Sequence, residues 1–257
     1  MSLQQLTEKI EKAPELDFGS IFNDSIELFK KVWVPGFVTI LLTLLLMLPF
    51  YIVMYLPLIT MGVMDPEMLE YGGSAVSMGT MIFTYGMMLV FLVAVCYISL
   101  ALQAAFYRIC KYKDLGIEGK EDYFYFFKKQ YFKRTLVLGL MTSLIAMLAT
   151  MLCMLPVFYV IVPLSFMPMF LALKPELEWK DNLKASFALG NKKWLITFGL
   201  IMVSGILAQF VGMLACGIGV LFTAAFGKLP VYFIYKKVIG IEEEETSEID
   251  EIGKLEL

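Results

Sequence analysis

Residues 135–173 read TLVLGLMTSLIAMLATMLCMLPVFYVIVPLSFMPMFLAL, 39 positions without one charged side chain. As a single α-helix this run would measure roughly 58 Å, nearly twice the ~30 Å hydrocarbon thickness of a bilayer. It has to turn back on itself. Pro156 lacks an N–H and obstructs a helix running through it, so it is the natural corner between segments 135–155 and 157–173. Three more uncharged runs frame this hairpin. Val32–Met64 precedes a polar stretch from Asp65 to Gly79, and the run Tyr71–Tyr107 is most apolar from Met81 onward. The last, Trp194–Gly227, continues past Lys228 to Tyr235 and is again too long for one crossing, with its corner at Cys216-Gly217-Ile218-Gly219, where two glycines permit a tight reversal. The sum is six transmembrane helices in an all-α membrane protein.

Composition agrees. The chain has 257 residues, 59% hydrophobic and 18% charged, with a mean hydropathy of +0.75; an ordinary soluble domain is about 45–50% apolar and about 25% charged. His is absent, and the four cysteines, Cys96, Cys110, Cys153 and Cys216, show no C-x-x-C spacing. Imidazole chemistry is excluded, no zinc, haem-attachment or thioredoxin motif is present, and no disulfide framework is expected. Residues 1–17 read as a cytosolic N-terminal segment, 18–239 as the transmembrane domain, and 240–257 as a disordered acidic tail. The net charge of −3 conceals that tail, in which eight acids stand against Lys254 alone. No signal peptide is expected, because residues 1–31 are polar and of mixed charge.

Basic residues accumulate on the cytoplasmic side of membrane proteins. Six crossings place 20 of the 21 cations on one side, before the first helix, between the second and third, between the fourth and fifth, and after the sixth. The opposite loops hold no cation, and the first of them carries Asp65, Glu67 and Glu70. Both termini are therefore expected in the cytosol. Trp33 and Trp194 fall at the inner ends of the first and fifth crossings, where indoles favour the interface.

Phe18–Trp33 aligns without gaps on Trp179–Trp194: Ser25 meets Ser186, Leu28 meets Leu189, Lys31 meets Lys192, and beyond them Phe37 meets Phe198. In the first copy Phe18, Ile21, Phe22, Ile26 and Phe29 recur at helical steps, so each copy reads as an amphipathic interfacial elbow entering a crossing. Tyr123–Arg134 is a weaker third copy. The architecture expected is three elbow-plus-hairpin units. The segment SFALGNKKW (186–194), the pattern Leu155-Pro156, Pro163, Pro168, and ACGIG (215–219) resemble a bacterial family of six-helix inner-membrane proteins related to the membrane domain fused to some glycerophosphoryl diester phosphodiesterases. The resemblance covers most of residues 18–240 and implies a multi-pass protein of the bacterial inner membrane. The phosphodiesterase barrel, with its His and metal-binding acids, is missing, so that reaction does not carry over.

Intramembrane enzymes need a nucleophile with a base, a carboxylate pair or a metal. The crossings hold no Asp, Glu or His, and Ser143, Ser165 and Ser204 have no visible base. No catalytic residue, cofactor or metal site is expected. The 18 methionines, among them Met61, Met64, Met68, Met78 and Met81, suit gap-filling between helices better than copper(I) ligation. Ser204, Ala208, Gly212 and Cys216 form a small-residue stripe for close helix packing, within the chain in preference to between chains. Pro163 and Pro168 could break the fourth crossing. Lys228, the one cation inside a crossing, is a candidate contact for an anionic lipid headgroup or solute, with Gln209 and Gln103 near it; the alternative is that it snorkels past Pro230. The leading expectation is a non-enzymatic inner-membrane scaffold or accessory subunit, with membrane lipid and another protein as partners and no nucleic acid. A small transporter or lipid-handling protein is the alternative.

Overall fold

The computed structural model describes residues 3–60, 78–117, 119–152, 155–215 and 217–241. The acids of the first outer loop, Met61, Met64, Met68, the side chains of Met78 and Met81, Cys153, Cys216 and the acidic run from Glu242 onward lie outside the described residues. Among the described residues there is no β-strand. The elements are α1 (Leu3–Glu11), α2 (Phe18–Thr60), α3 (Met78–Leu115), a 3-10 turn (Tyr125–Phe127), α4 (Lys129–Met151), α5 (Leu155–Leu173), α6 (Trp179–Lys192), α7 (Trp194–Leu214), α8 (Val220–Thr223), a second 3-10 turn (Ala224–Lys228) and α9 (Leu229–Ile239). Five of them, α2, α3, α4, α5 and α7, are long and apolar enough to cross a membrane.

The hairpin in 135–173 exists, with its corner displaced. α4 ends at Met151 and α5 begins at Leu155, so Pro156 sits in the first turn of α5, where its missing N–H costs nothing. Pro163 and Pro168 do not break α5, which is continuous over its 19 residues. Pro163 is instead where α6 lies flush: a Cβ on Gly190 would come within 2.7 Å of the Pro163 Cα.

Between α7 and α8 the chain reverses at Gly217, whose φ of +80° is the left-handed region that favours glycine. The returning arm packs antiparallel on α7. The Thr223 hydroxyl donates to the Ala208 carbonyl at 2.7 Å, and a Cβ on Gly212 would stand 2.6 Å from the Val220 Cα. The return is no uniform α-helix, in contrast to the single helix expected there. Pro230, in the first turn of α9, has no N–H to bond the carbonyl one turn back, and Gly227 adds little stiffness, so residues 224–228 wind more tightly as 3-10.

The second arms of the three hairpins, α3, α5 and α9, occupy the centre. They hold the largest fully buried side chains: Phe106 and Tyr107 on α3, Phe166 and Phe170 on α5, Tyr232 and Tyr235 on α9. The first arms lie outside and present apolar side chains outward, among them Leu41, Leu45 and Leu48 on α2, Met147 and Leu148 on α4, and Ile206 and Phe210 on α7. Such a ring of exposed apolar surface would aggregate in water and suits a lipid solvent.

The aligned segments are only partly alike. Ser25 and Ser186 are both fully buried, as are Leu28 and Leu189 nearly so. The paired aromatics recur as well: Trp33 and Phe37 meet Phe222 of α8, with Phe37 stacked on it at 4.3 Å, while Trp194 stacks on Phe198 at 4.9 Å and Phe198 meets Phe158 of α5. The helices differ, however. α2 runs unbroken through the first copy into its apolar part, whereas α6 is a helix of its own, separated from α7 at Lys193. The third copy is not an elbow helix. Its aromatics form a cluster at the 3-10 turn, where the Arg108 guanidinium stacks 3.3 Å above the Tyr125 ring, and the helix begins only at Lys129.

Residues 3–17, expected as a separate segment, pack on the bundle. Leu3, Leu6 and Ile10 share one face of α1, and Leu6 and Ile10 are fully buried in the common core, against α6 and α9. Lys9 Nζ donates to the Ile239 carbonyl at 2.9 Å and Lys193 Nζ to the Pro14 carbonyl at 2.6 Å, so cations close the end of α9 and the α1 connection. α2 at 43 residues and α3 at 38 measure roughly 64 Å and 57 Å, longer than the hydrocarbon zone. Their polar ends, with α1, α6 and the end of α9, build a lysine-rich cap at one end of the bundle.

Candidate functional site

One line of polar groups, a seam, joins side chains of α3 and α9, while the other buried polar residues, among them Thr39, Thr135, Asn182, Ser186 and Ser204, lie on other helices. On α3 the residues Gln103, Tyr107, Cys110 and Asp114 recur at steps of four, three and four; on α9 and the turn before it, Lys228, Tyr232 and Lys236 recur at steps of four. Each set therefore shares one helix face. The Tyr107 hydroxyl, hydrogen-bonded by Gln103, donates to the Lys228 carbonyl at 3.2 Å. The Tyr232 hydroxyl donates to Asp114 Oδ2 at 2.7 Å, and Lys236 Nζ donates to the same oxygen at 2.5 Å. Contacts advance together along both helices, so α3 and α9 run parallel and end at the same, lysine-rich end.

The Lys228 side chain is half-buried, and Cys110 of α3 is fully buried. The Lys228 backbone is the seam's hinge point, since it closes the 3-10 turn and accepts the Tyr107 bond. Gln103 belongs to this seam through Tyr107. Gln209 does not: α7 buries Thr197, Leu200, Ser204, Ala208 and Gly212, and Gln209, one residue further round the helix, is exposed on the outer face. The three candidate polar residues are thus not one site.

Ser204, Ala208 and Gly212 face the returning arm inside the chain. Most hydroxyls of the long helices are closed on their own backbones: Ser25 on the Ile21 carbonyl at 2.7 Å, Thr39 on Pro35 at 2.8 Å, Thr142 on Leu138 at 2.8 Å, Ser165 on Val162 at 2.7 Å and Ser204 on Leu200 at 2.5 Å; Thr135 Oγ1 on α4 is buried without a hydrogen-bond partner among the described residues. Ser143 meets the Cys96 thiol. None of these serines has a base beside it in the described residues, and no three His, Cys, Asp or Glu side chains converge there. Trp194 Nε1 donates to the Tyr159 carbonyl at 3.1 Å, and Trp33 is 44% exposed.

At the lysine-rich end the seam opens into a cleft of about 390 Å³ between Asp24, Glu27 and Lys31 of α2, Asp114 of α3, and Lys236 and Lys237 of α9. Lys237 Nζ bonds Ser20 Oγ at 2.6 Å and pairs with Asp24 at 2.8 Å. Asp114 and Lys236 escaped sequence reasoning because they lie beyond the uncharged runs and read as loop residues, and Tyr232 because it lies inside the last run and reads as one more aromatic. Their four-residue spacing, in register with Tyr107 and Lys228, was the available signal. No family model, curated protein or solved structure matches this chain.

Proposed function

We propose that this chain is a non-enzymatic scaffold or accessory subunit of a complex in the bacterial inner membrane, crossing the bilayer six times with both termini and the lysine-rich cap in the cytosol. The returning arm serves as the sixth crossing: four α-helical, five 3-10 and eleven α-helical residues extend about 32 Å, enough for the hydrocarbon zone. The parallel course of α3 and α9 supports the count, because second arms of hairpins must end on one side. The helical segments 18–31 and 179–192, with their lysines, would then lie at the cytosolic interface, in contact with lipid and partner. Cysteines introduced as Glu67→Cys and Glu118→Cys, both outside the described residues, are expected to react with an impermeant maleimide from opposite sides of the membrane; reaction from one side removes the six-crossing arrangement.

The observation that carries the scaffold reading is the closure of the intramembrane hydroxyls on their own helices. A solute path needs several polar groups facing a cavity, and here most of the hydroxyls are spent on backbone, with Thr135 the buried exception. Purification of the chain from membranes in mild detergent, followed by mass spectrometry, is expected to recover a second protein at fixed stoichiometry. One observation favours the alternative of a small transporter or lipid-handling protein: the 3-10 turn and half-buried Lys228 beside Tyr107, an irregular stretch carrying a cation. Under that reading a lipid or solute, and no protein, co-purifies, and Lys228→Met abolishes its retention. Unchanged retention in Lys228→Met removes the anion-site role of this lysine.

A further inference from the structure

We infer that the cleft between α1 and the end of α9 is a binding site for a phosphate group, as carried by an anionic lipid headgroup or by a soluble phosphate. It stands apart from Lys228 and does not depend on the scaffold reading. The cleft has a volume of about 800 Å³ and is lined by Gln5, Glu8 and Lys9 on one face of α1, by Lys12 just past its end, and by residues 236–240 at the end of α9. Four lysines, Lys9, Lys12, Lys236 and Lys237, thus line a wall that contains a single carboxylate, Glu8.

Three of the four are held in place by protein partners: Lys9 by the Ile239 carbonyl at 2.9 Å, Lys236 by Asp114 at 2.5 Å, and Lys237 by Asp24 at 2.8 Å and Ser20 at 2.6 Å. An ammonium carries three donors, so each keeps at least one for a ligand, and the side-chain entropy of ordering it has been met by folding. Asp114 and Asp24 offset Lys236 and Lys237 from behind. Lys9 is held by a neutral carbonyl, and Lys12 has no ion-pair partner among the described residues, so their two charges face Glu8 alone.

The carbonyl end of α9 would ordinarily repel an anion. Lys9 on the Ile239 carbonyl cancels that effect, and Gly240, at φ +83°, turns the chain away from the helix axis and leaves the space beside the lysines. Phosphate matches the arrangement because its several oxygens accept from more than one ammonium at once. The cleft belongs to the lysine-rich cap at one end of the apolar bundle, where anionic headgroups would meet cations.

The test uses the full chain in a nonionic detergent, with thermal unfolding followed by tryptophan fluorescence. Phosphatidylglycerol in mixed micelles is expected to raise the unfolding temperature where phosphatidylcholine does not. Inorganic phosphate is compared with chloride at equal ionic strength: a rise with both phosphate and phosphatidylglycerol means that the phosphate group suffices, and a rise with phosphatidylglycerol alone assigns the site to lipid. Lys9→Gln with Lys12→Gln is expected to weaken the apparent affinity by roughly tenfold or more. Lys12→Gln alone, which breaks no bond within the described fold, weakens it as well, and Glu8→Gln strengthens it. An equal response to phosphatidylcholine, no response to either phosphate probe, or an unchanged response in Lys12→Gln and in the double variant overturns the assignment.

Discussion

Gly212→Ala is expected to destabilise the protein by about 2–3 kcal/mol, while Gly205→Ala, the same added methyl two turns earlier on α7, leaves stability unchanged or raises it. The difference comes from what each Cβ would meet. At Gly212 it would stand 2.6 Å from both the Val220 Cα and N and 2.7 Å from its Cγ2, so the methyl runs into the backbone of α8, which cannot swing aside as a long side chain can. The reversal at Gly217 fixes α8 only five residues further along the chain, and the Thr223 bond to the Ala208 carbonyl pins the other end of the contact. At Gly205 nothing lies within 4 Å of the added atom, and alanine recovers the ~0.5–1 kcal/mol that glycine costs in a helix interior. Unfolding of the two variants in detergent by heat or by denaturant measures the contrast. Equal losses at both positions would mean that α7 and its returning arm are not packed as described.

The sequence carried the hairpins through simple length arithmetic: a 39-residue uncharged run cannot cross once, whatever its side chains do. It carried the corner at Gly217 because glycine is the residue that takes a positive φ without strain. Pro156 was a less exact guide. A proline marks a boundary, but it suits the start of a helix at least as well as the end of one, and here it opens α5. The same ambiguity applies inside the helix. Pro163 and Pro168 left a break open, and α5 accommodates both, because the missing bonds are offset by packing that leaves Val162, Phe166, Met169 and Phe170 fully buried.

The seam was illegible for a different reason. Apolar runs locate the oily part of a helix and say nothing about how far the helix continues beyond it. α3 extends two turns past Tyr107, the last residue of its uncharged run, and α9 carries Lys236 and Lys237 in its final turn. Charges that look like loop residues in the sequence are therefore helix residues with fixed partners. α1 was missed similarly: nine residues with a short apolar face at Leu3, Leu6 and Ile10 have no stable helix of their own and form one only against α6 and α9. The third repeat copy was overcounted, since aromatic richness at 123–132 reflects a cluster around Arg108 and not a helical period.

Asp114 ties α3 to α9 through side chains, and its replacement is expected to be the most costly among the polar residues described. Its Oδ2 accepts from both the Tyr232 hydroxyl and the Lys236 ammonium, and the Asp114 side chain is only 14% exposed. Asp114→Ala strands a buried hydroxyl, Tyr232 being fully buried, and leaves a cation without its counter-charge. Breaking a fully buried pair costs about 3–5 kcal/mol; the Lys236 side chain is 34% exposed and can turn to water, which reduces the expected loss to about 2–3 kcal/mol. A double-mutant cycle of Asp114→Asn, Lys236→Met and their combination separates the two partners. Lys236→Met alone should cost less than Asp114→Ala, because it leaves the carboxylate its Tyr232 bond. Asp114→Asn combined with Lys236→Met should recover most of the loss, because the amide oxygen still accepts from Tyr232 and no charge is left unpaired. Additive losses in that double variant would show that Asp114 and Lys236 act separately, and the seam would then be two neighbouring surface residues in place of a joint between helices.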